Sequence, residues 1–168
     1  MNKLLVLDRD GVVNIEYGDV YKEEDFRFMP GIFEFCKKYQ DKGYLIVICS
    51  NQSGIAKGLF TMEQYKNLNY YMLEEFQKHG VQIAKTYVCP HRDSDRCDCH
   101  KPKPGLILKA LADFNASAKL SLAVGDKMSD IDAYHDAGIS RLIFLKGENR
   151  LEGRPFKFKV IESLEEEE

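Results

Sequence analysis

An open, parallel α/β sheet is the fold class predicted by the sequence. Short apolar runs such as KLLVL, YLIVIC and RLIFL alternate with longer amphipathic stretches, the order of a chain that covers both sheet faces with helices. Pro, Thr, Ser and Gly punctuate those stretches where helices start and stop. The 168 residues suffice for one sizeable core and leave little room for a second. The chain is therefore read as one domain over residues 1–168.

KLLVLD, ending at Asp8, reads as a buried first strand, and a polar, aromatic-dotted loop follows through Met29. PGIFEFCKKYQDKG reads as a helix, with Pro30 near its first turn and Gly43 just past its end. YLIVIC is the second strand. Thr61 and Gln64 make a T-x-x-Q capping box that opens a helix to His79, where Gly80 stops it. IAKTYVC is the third strand and PGLILKALADF a helix. KLSLAVGD is the fourth strand, SDIDAYHDAG a helix and RLIFLK a fifth strand, with FKFKVI as a weak edge strand. Cys36 and Cys49 fall in apolar patterns and read as buried structural thiols. His79 and His135 sit on helices and read as structural or surface residues.

Composition excludes several function classes. No apolar run approaches the roughly 20 residues of a membrane span. The N-terminal MNKLLVLDRDG breaks at Asp8 without a cleavage site, so it reads as a strand rather than a signal, and a cytoplasmic address is expected. There, exposed cysteines stay reduced. A formal net charge of −3 without a basic face opposes nucleic-acid binding. ESLEEEE, residues 162–168, reads as a solvated acidic tail. No exposed apolar stripe is apparent, so a monomer is expected.

In an open parallel sheet the functional crevice lies at the carboxyl ends of the strands. The first strand delivers Asp8-Arg9-Asp10-Gly11 there and the second Ser50-Asn51-Gln52-Ser53-Gly54. The segment after the third carries Lys101 and Lys103; the fourth delivers Gly125-Asp126-Lys127, with Asp130 beyond. Carboxylates suit a hard cation such as Mg2+, a hydroxyl and amides in a Gly-containing turn suit phosphate, and a lysine neutralises their shared charge. Asp8 is placed to attack phosphorus and Asp10 to protonate the leaving oxygen and later deprotonate water. A D-x-D pair alone is weak; four compatible strand ends in order are not.

Cys89-x-His91 and Cys97-x-Cys99 offer three thiolates and an imidazole, a set suited to tetrahedral Zn2+. The C-x-C spacing is unlike that of a thioredoxin-like redox pair. Four protein ligands leave no open position, so this zinc is expected to be structural, holding a loop over residues 89–103 that leads into Lys101.

LDRDGVVN, CSNQSG, HKPKPG and VGDKMSD resemble the four motifs of the haloacid dehalogenase (HAD) superfamily of aspartate-nucleophile phosphatases, over roughly residues 3 to 145. The resemblance implies a Rossmann-like sheet in the order 3-2-1-4-5 with a minimal cap. It implies Asp8 as nucleophile, Asp10 as general acid/base, and Mg2+ held by Asp8, the Asp10 carbonyl and Asp126, with Asp130 supporting. It also implies Ser50, Asn51 and Gln52 at the phosphoryl group and Lys101 bridging it to Asp8. NQSGIAKGLFT and YGDVYKEEDFRFMPG are similar to the heptose-1,7-bisphosphate phosphatase branch, and the cysteine loop is shared with the histidinol-phosphatase branch. Removal of the C7 phosphate of D-glycero-D-manno-heptose 1,7-bisphosphate is the activity so implied, with a small phosphorylated sugar as partner. Histidinol phosphate is the first alternative; a polynucleotide 3′-phosphatase and a non-catalytic phosphosugar-binding module are weaker ones. The family usually has Arg at position 100 for a distal phosphate; this chain has His100, with Lys57, Lys103 and Lys127 as further cationic candidates.

Overall fold

The structure, a computed structural model, describes residues 1–166. The apolar runs become the strands β1 (Leu4–Leu7), β2 (Leu45–Asn51), β3 (Ile83–Cys89), β4 (Leu122–Gly125), β5 (Arg141–Leu145) and β6 (Lys159–Ile161). They form a sheet in the order β3-β2-β1-β4-β5-β6, parallel at every pairing. The expected five-strand order is reproduced, and the weak C-terminal candidate pairs with β5 as a sixth strand.

Parallel strands covered on both sides need apolar residues at every position, and the alternation here is explicit. Leu5 and Leu7 of β1, Ile46 and Ile48 of β2 and Leu122 and Val124 of β4 join one core with helices α1 (Ile32–Asp41) and α2 (Met62–Lys78). Leu4, Val6, Val47, Cys49 and Ala123 point the other way, onto α3 (Gly105–Asp113) and α4 (Met128–Asp136). Fully buried Cys36 and Cys49 belong to these two cores. His79 caps α2 and stacks on Phe33, and His135 stacks on Phe156, so both serve packing.

Three details differ from expectation. Pro30 lies outside α1, whose N-cap is Gly31. Strand β2 runs beyond Cys49 to Asn51, because its pairing with β3 continues through Cys89. The acidic C-terminus is not wholly solvated: Leu164, in a 3-10 turn over Leu164–Glu166, is buried in the α1-side core. Residues 167 and 168 of that segment lie outside the described residues. The Thr61–Gln64 capping box forms as read, with both reciprocal bonds present.

Candidate active site

Register sets the site. Leu7 pairs with Val124, and the Asp8 N–H donates to the Val124 carbonyl at 3.2 Å, so Asp8 and Asp126 leave adjacent strands side by side. Lys101 arrives from the cysteine loop and is buried. Its ammonium donates to Asp8 Oδ1 at 2.9 Å and to the Cys49 carbonyl at 2.8 Å, and stands 2.6 Å from Asp130 Oδ1. Asp130 sits in the first turn of α4, and its other oxygen accepts the backbone N–H groups of Asp126 at 3.1 Å and Lys127 at 3.2 Å. Both of its oxygens are thus engaged, which suits a supporting role.

Asp126 is the exception. It is only 1% exposed, and neither carboxylate oxygen has a hydrogen-bond partner. Such a group is costly to leave buried. Gly11 closes over it with φ +100; a Cβ there would stand 1.8 Å from Asp126 Oδ2, so only glycine permits the approach. Carboxylate oxygens of Asp8, Asp126 and Asp130 all lie within 4.8 Å of one another.

The electrostatics follow from this crowding. Burial, then the Asp130 charge, push the Asp8 carboxyl up to about 6 against the opposing pull of Lys101. Burial, then Asp8 and Asp130, push Asp126 up to about 10. For Lys101 burial alone would lower the value, but Asp130 and Asp8 hold it above the usual lysine range. Three buried carboxylates share one ammonium, and the excess negative charge with two orphaned oxygens fits a hard dication.

A cleft of about 430 Å³ opens over Asp8, Lys101 and Asp130, whereas Asp126 lines a separate cavity with Gly11 and Glu16. Asp8, Asp10, Asn51, Gln52, Ser53 and His100 line it, together with Lys101, Lys127, Ser129 and Asp130. Glu16, Gly18 and Asp19 add an acidic wall. Lys127 crosses to Glu16 at 3.0 Å, and Asp126 and Glu16 raise its value although burial opposes them.

The phosphate candidates occupy distinct places. Ser50 is buried beneath the cleft. The Asn51 amide forms a reciprocal pair with the Lys101 main chain, accepting its N–H at 3.0 Å and donating to its carbonyl at 3.1 Å. Gln52 donates to Asp10 Oδ2 at 2.8 Å. Lys57 is exposed and Lys103 donates to the Cys97 carbonyl; neither lines the cleft. Sequence reasoning missed Glu16 and Asp19, which no local spacing marks. It also passed over Arg9 and Asn14, although both lie inside the first motif.

The thiol cluster forms beside the cleft. Cys89 closes β3, and its sulfur stands 3.6 Å from Cys97 Sγ and 3.4 Å from His91 Nδ1. Cys99 Sγ stands 3.3 Å from the same nitrogen. All four ligand atoms lie within 4.8 Å of one another, and the thiols are free. Against the upward push of burial, backbone bonds from Cys99 and His100 hold the Cys97 thiol down at about 6. Burial raises Cys89 and Cys99 instead. The loop packs tightly onto α3: a Cβ on Gly105 would meet the Asp98 carbonyl at 2.1 Å. Three sulfurs and one imidazole suit a closed tetrahedral metal. His100 links the two regions, lining the cleft with its Nδ1 3.8 Å from Cys89 Sγ.

Among the described residues no helix is long and apolar enough to cross a membrane. A family model described as polynucleotide kinase 3 phosphatase matches residues 3–138. A D-glycero-alpha-D-manno-heptose-1,7-bisphosphate 7-phosphatase of Campylobacter jejuni is 45% identical over 163 residues, covering 96% of this chain and 93% of the relative. A D-glycero-beta-D-manno-heptose-1,7-bisphosphate 7-phosphatase of Vibrio cholerae is 41% identical, covering 83% and 79%. The crystal structure of D,D-heptose 1,7-bisphosphate phosphatase from B. bronchiseptica, complexed with magnesium and phosphate, superposes with a TM-score of 0.87 at 30% identity, covering 96% of this chain and 93% of that one. With its parallel sheet, strand-end carboxylates and these relatives, the chain belongs to the HAD-superfamily phosphatases, in the family of the heptose-1,7-bisphosphate 7-phosphatases.

Proposed function

We propose that this chain is a Mg2+-dependent phosphomonoesterase that removes the C7 phosphate of D-glycero-D-manno-heptose 1,7-bisphosphate. The observation that carries the reading is Lys101, fixed between Asp8 and Asp130 beside the unpartnered Asp126, at the floor of an open cleft. Asp8, Asp126 and the Asp10 carbonyl would hold Mg2+, which when bound would neutralise phosphoryl charge and polarise the phosphorus–oxygen bond. Asp8 attacks phosphorus, forming an aspartyl-phosphate as the C7 oxygen departs. Asp10 delivers a proton to that oxygen and later takes one from the attacking water. Lys101 offsets negative charge shared by Asp8 and the transferring group, and Ser50 and the backbone after it offer donors to phosphoryl oxygens.

Recognition of the sugar falls to the cleft walls, Glu16 and Asp19 on one side and His100 and Lys127 on others. The relatives' names divide between the alpha and beta C1 anomers, so both belong in the test. Turnover of each heptose bisphosphate anomer, histidinol phosphate and a 3′-phosphorylated oligonucleotide is to be compared. A heptose bisphosphate is expected to lead by kcat/KM, with activity lost in chelator and restored by Mg2+. Preference for the oligonucleotide would overturn the reading; the net charge of −3 and the acidic wall oppose it.

We also propose that Cys89, His91, Cys97 and Cys99 hold a structural Zn2+ that fixes the segment entering Lys101. Metal analysis of folded protein is expected to give about one equivalent of zinc, and less than about half an equivalent would refute it. A monomeric, cytoplasmic enzyme remains the expected setting.

A further inference from the structure

We infer that Gln52 is a positioning residue for Asp10: its amide aims the proposed general acid at the leaving oxygen rather than holding the phosphoryl group. The inference rests on the reading of Asp10 as general acid/base.

The Asp10 carboxylate is held by five contacts from three neighbours. Oδ1 accepts from Arg9 Nε at 3.2 Å, Arg9 Nη2 at 2.9 Å and Asn14 Nδ2 at 2.9 Å. Oδ2 accepts from Arg9 Nη2 at 3.1 Å and Gln52 Nε2 at 2.8 Å. These holders are themselves fixed. Arg9 is 2% exposed, donates to the Val20 carbonyl at 2.7 Å, and stands over the Phe26 ring. Asn14 is fully buried.

Gln52 differs from the other two holders. It comes from the phosphate-side loop 42 positions away, lines the cleft, and is tied to the strand ends by its N–H to the Cys89 carbonyl at 2.8 Å. Its Nε2 also stands 3.4 Å from Ser50 Oγ. Arg9 thus contacts both oxygens and Asn14 holds Oδ1, whereas Gln52 reaches only Oδ2, from the cleft side. The Gln52 amide N–H, at 2.8 Å, fixes this Oδ2 edge of the carboxyl group, and the backbone bond of Gln52 to Cys89 anchors that residue in place. In the first half-reaction the bond from phosphorus to the C7 oxygen breaks as Asp8 bonds to phosphorus, and the Asp10 proton passes to that oxygen. A misaimed acid slows this step where the leaving oxygen is strongly basic.

Leaving-group dependence separates positioning from phosphate holding. In the Mg2+-loaded enzyme, kcat/KM is measured for heptose bisphosphate and for 4-nitrophenyl phosphate, whose leaving oxygen needs no proton. This quantity covers only steps through alcohol release. Gln52→Met, which keeps the volume, and Gln52→Ala are expected to lower kcat/KM on the sugar roughly 10²-fold. On the aryl ester they lower it by less than about 3-fold, with inhibition by inorganic phosphate unchanged. Equal losses on both substrates, or weakened phosphate inhibition, overturn the inference. Asp10→Asn is the control for the underlying reading and is expected to show the same bias more strongly. If Asp10→Asn shows no bias, the general-acid reading itself falls. If Asp10→Asn shows it and neither Gln52 variant does, only the role of Gln52 falls.

Discussion

The two clusters of candidate metal-ligating side chains are neighbours, yet they are built in opposite ways. Asp8, Asp126 and Asp130 project from strand ends and the first turn of a helix, buried to 6% exposure or less, with charge in excess and two oxygens unmet. Cys89, His91, Cys97 and Cys99 gather on a loop that is buried only at Cys89, with their ligand atoms in contact with one another. The sheet holds the first cluster rigid before any ion arrives. The second sits on a polar loop that touches the α3-side core through its cysteines, so an ion there would fix the shape of the rest of the loop. Unsatisfied carboxylates on strand ends suit chemistry, and thiols and an imidazole in mutual contact on a loop suit folding.

Substitution at each cluster tests that contrast. Asp8→Asn is expected to have the largest effect, lowering turnover by roughly 10⁴-fold or more while the fold persists. Cys97→Ser is expected to cut zinc content and melting temperature, yet to keep turnover within about tenfold of wild type well below the melt, since it touches no reacting atom. Zinc content, thermal melts and assays on the same preparation decide this. A Cys97→Ser loss as deep as that of Asp8→Asn would make the two clusters one catalytic centre.

The pH dependence sharpens the comparison on the carboxylate side. Asp8 is raised to about 6 and Asp126 to about 10, so the metal-free folded protein binds more protons than the unfolded chain above the usual carboxylate range. Its stability must then fall as pH rises through this window. Thermal melts in chelator are expected to decline from pH 5 to pH 8, and Mg2+ to remove most of the slope. Equal metal-free stability at both pH values would contradict the crowding described here. The smallest effect is expected where the regions meet: His100→Arg should lower KM for a bisphosphate several-fold and leave a monophosphate unchanged, because a guanidinium adds a charged fork to the cleft.

Much of this architecture was legible in the sequence because its determinants are local. Wholly apolar runs mark doubly covered strands, the Thr61–Gln64 box marks a helix start, and parallel order brings every strand end to one crevice. The placement of Asp8, Asp126 and Lys101 follows from that rule, and the gathering of Cys89, His91, Cys97 and Cys99 follows from their own close spacing. What stayed hidden depends on contacts between distant segments. The Glu16–Lys127 bridge joins residues 111 apart, and Leu164 enters the core from a segment read as a solvated tail. Gln52, grouped with the phosphate ligands, turns its amide to Asp10, because Arg9 and Asn14 place that carboxylate within its reach. Lys57 and Lys103 looked equivalent to Lys127 by charge; loop geometry directs them elsewhere.

The reciprocal pair between the Asn51 amide and the main chain of Lys101 has a consequence for how such a site can diverge. Asn51 grips the backbone as a neighbouring strand would, through one N–H and one carbonyl, and it is indifferent to the side chain attached. The address of position 101 is thus written in the main chain, whatever side chain its neighbour at position 100 carries. The residue at 100 can be exchanged without moving the lysine beside it. Substrate preference can drift in this way while the reaction centre stays where it is.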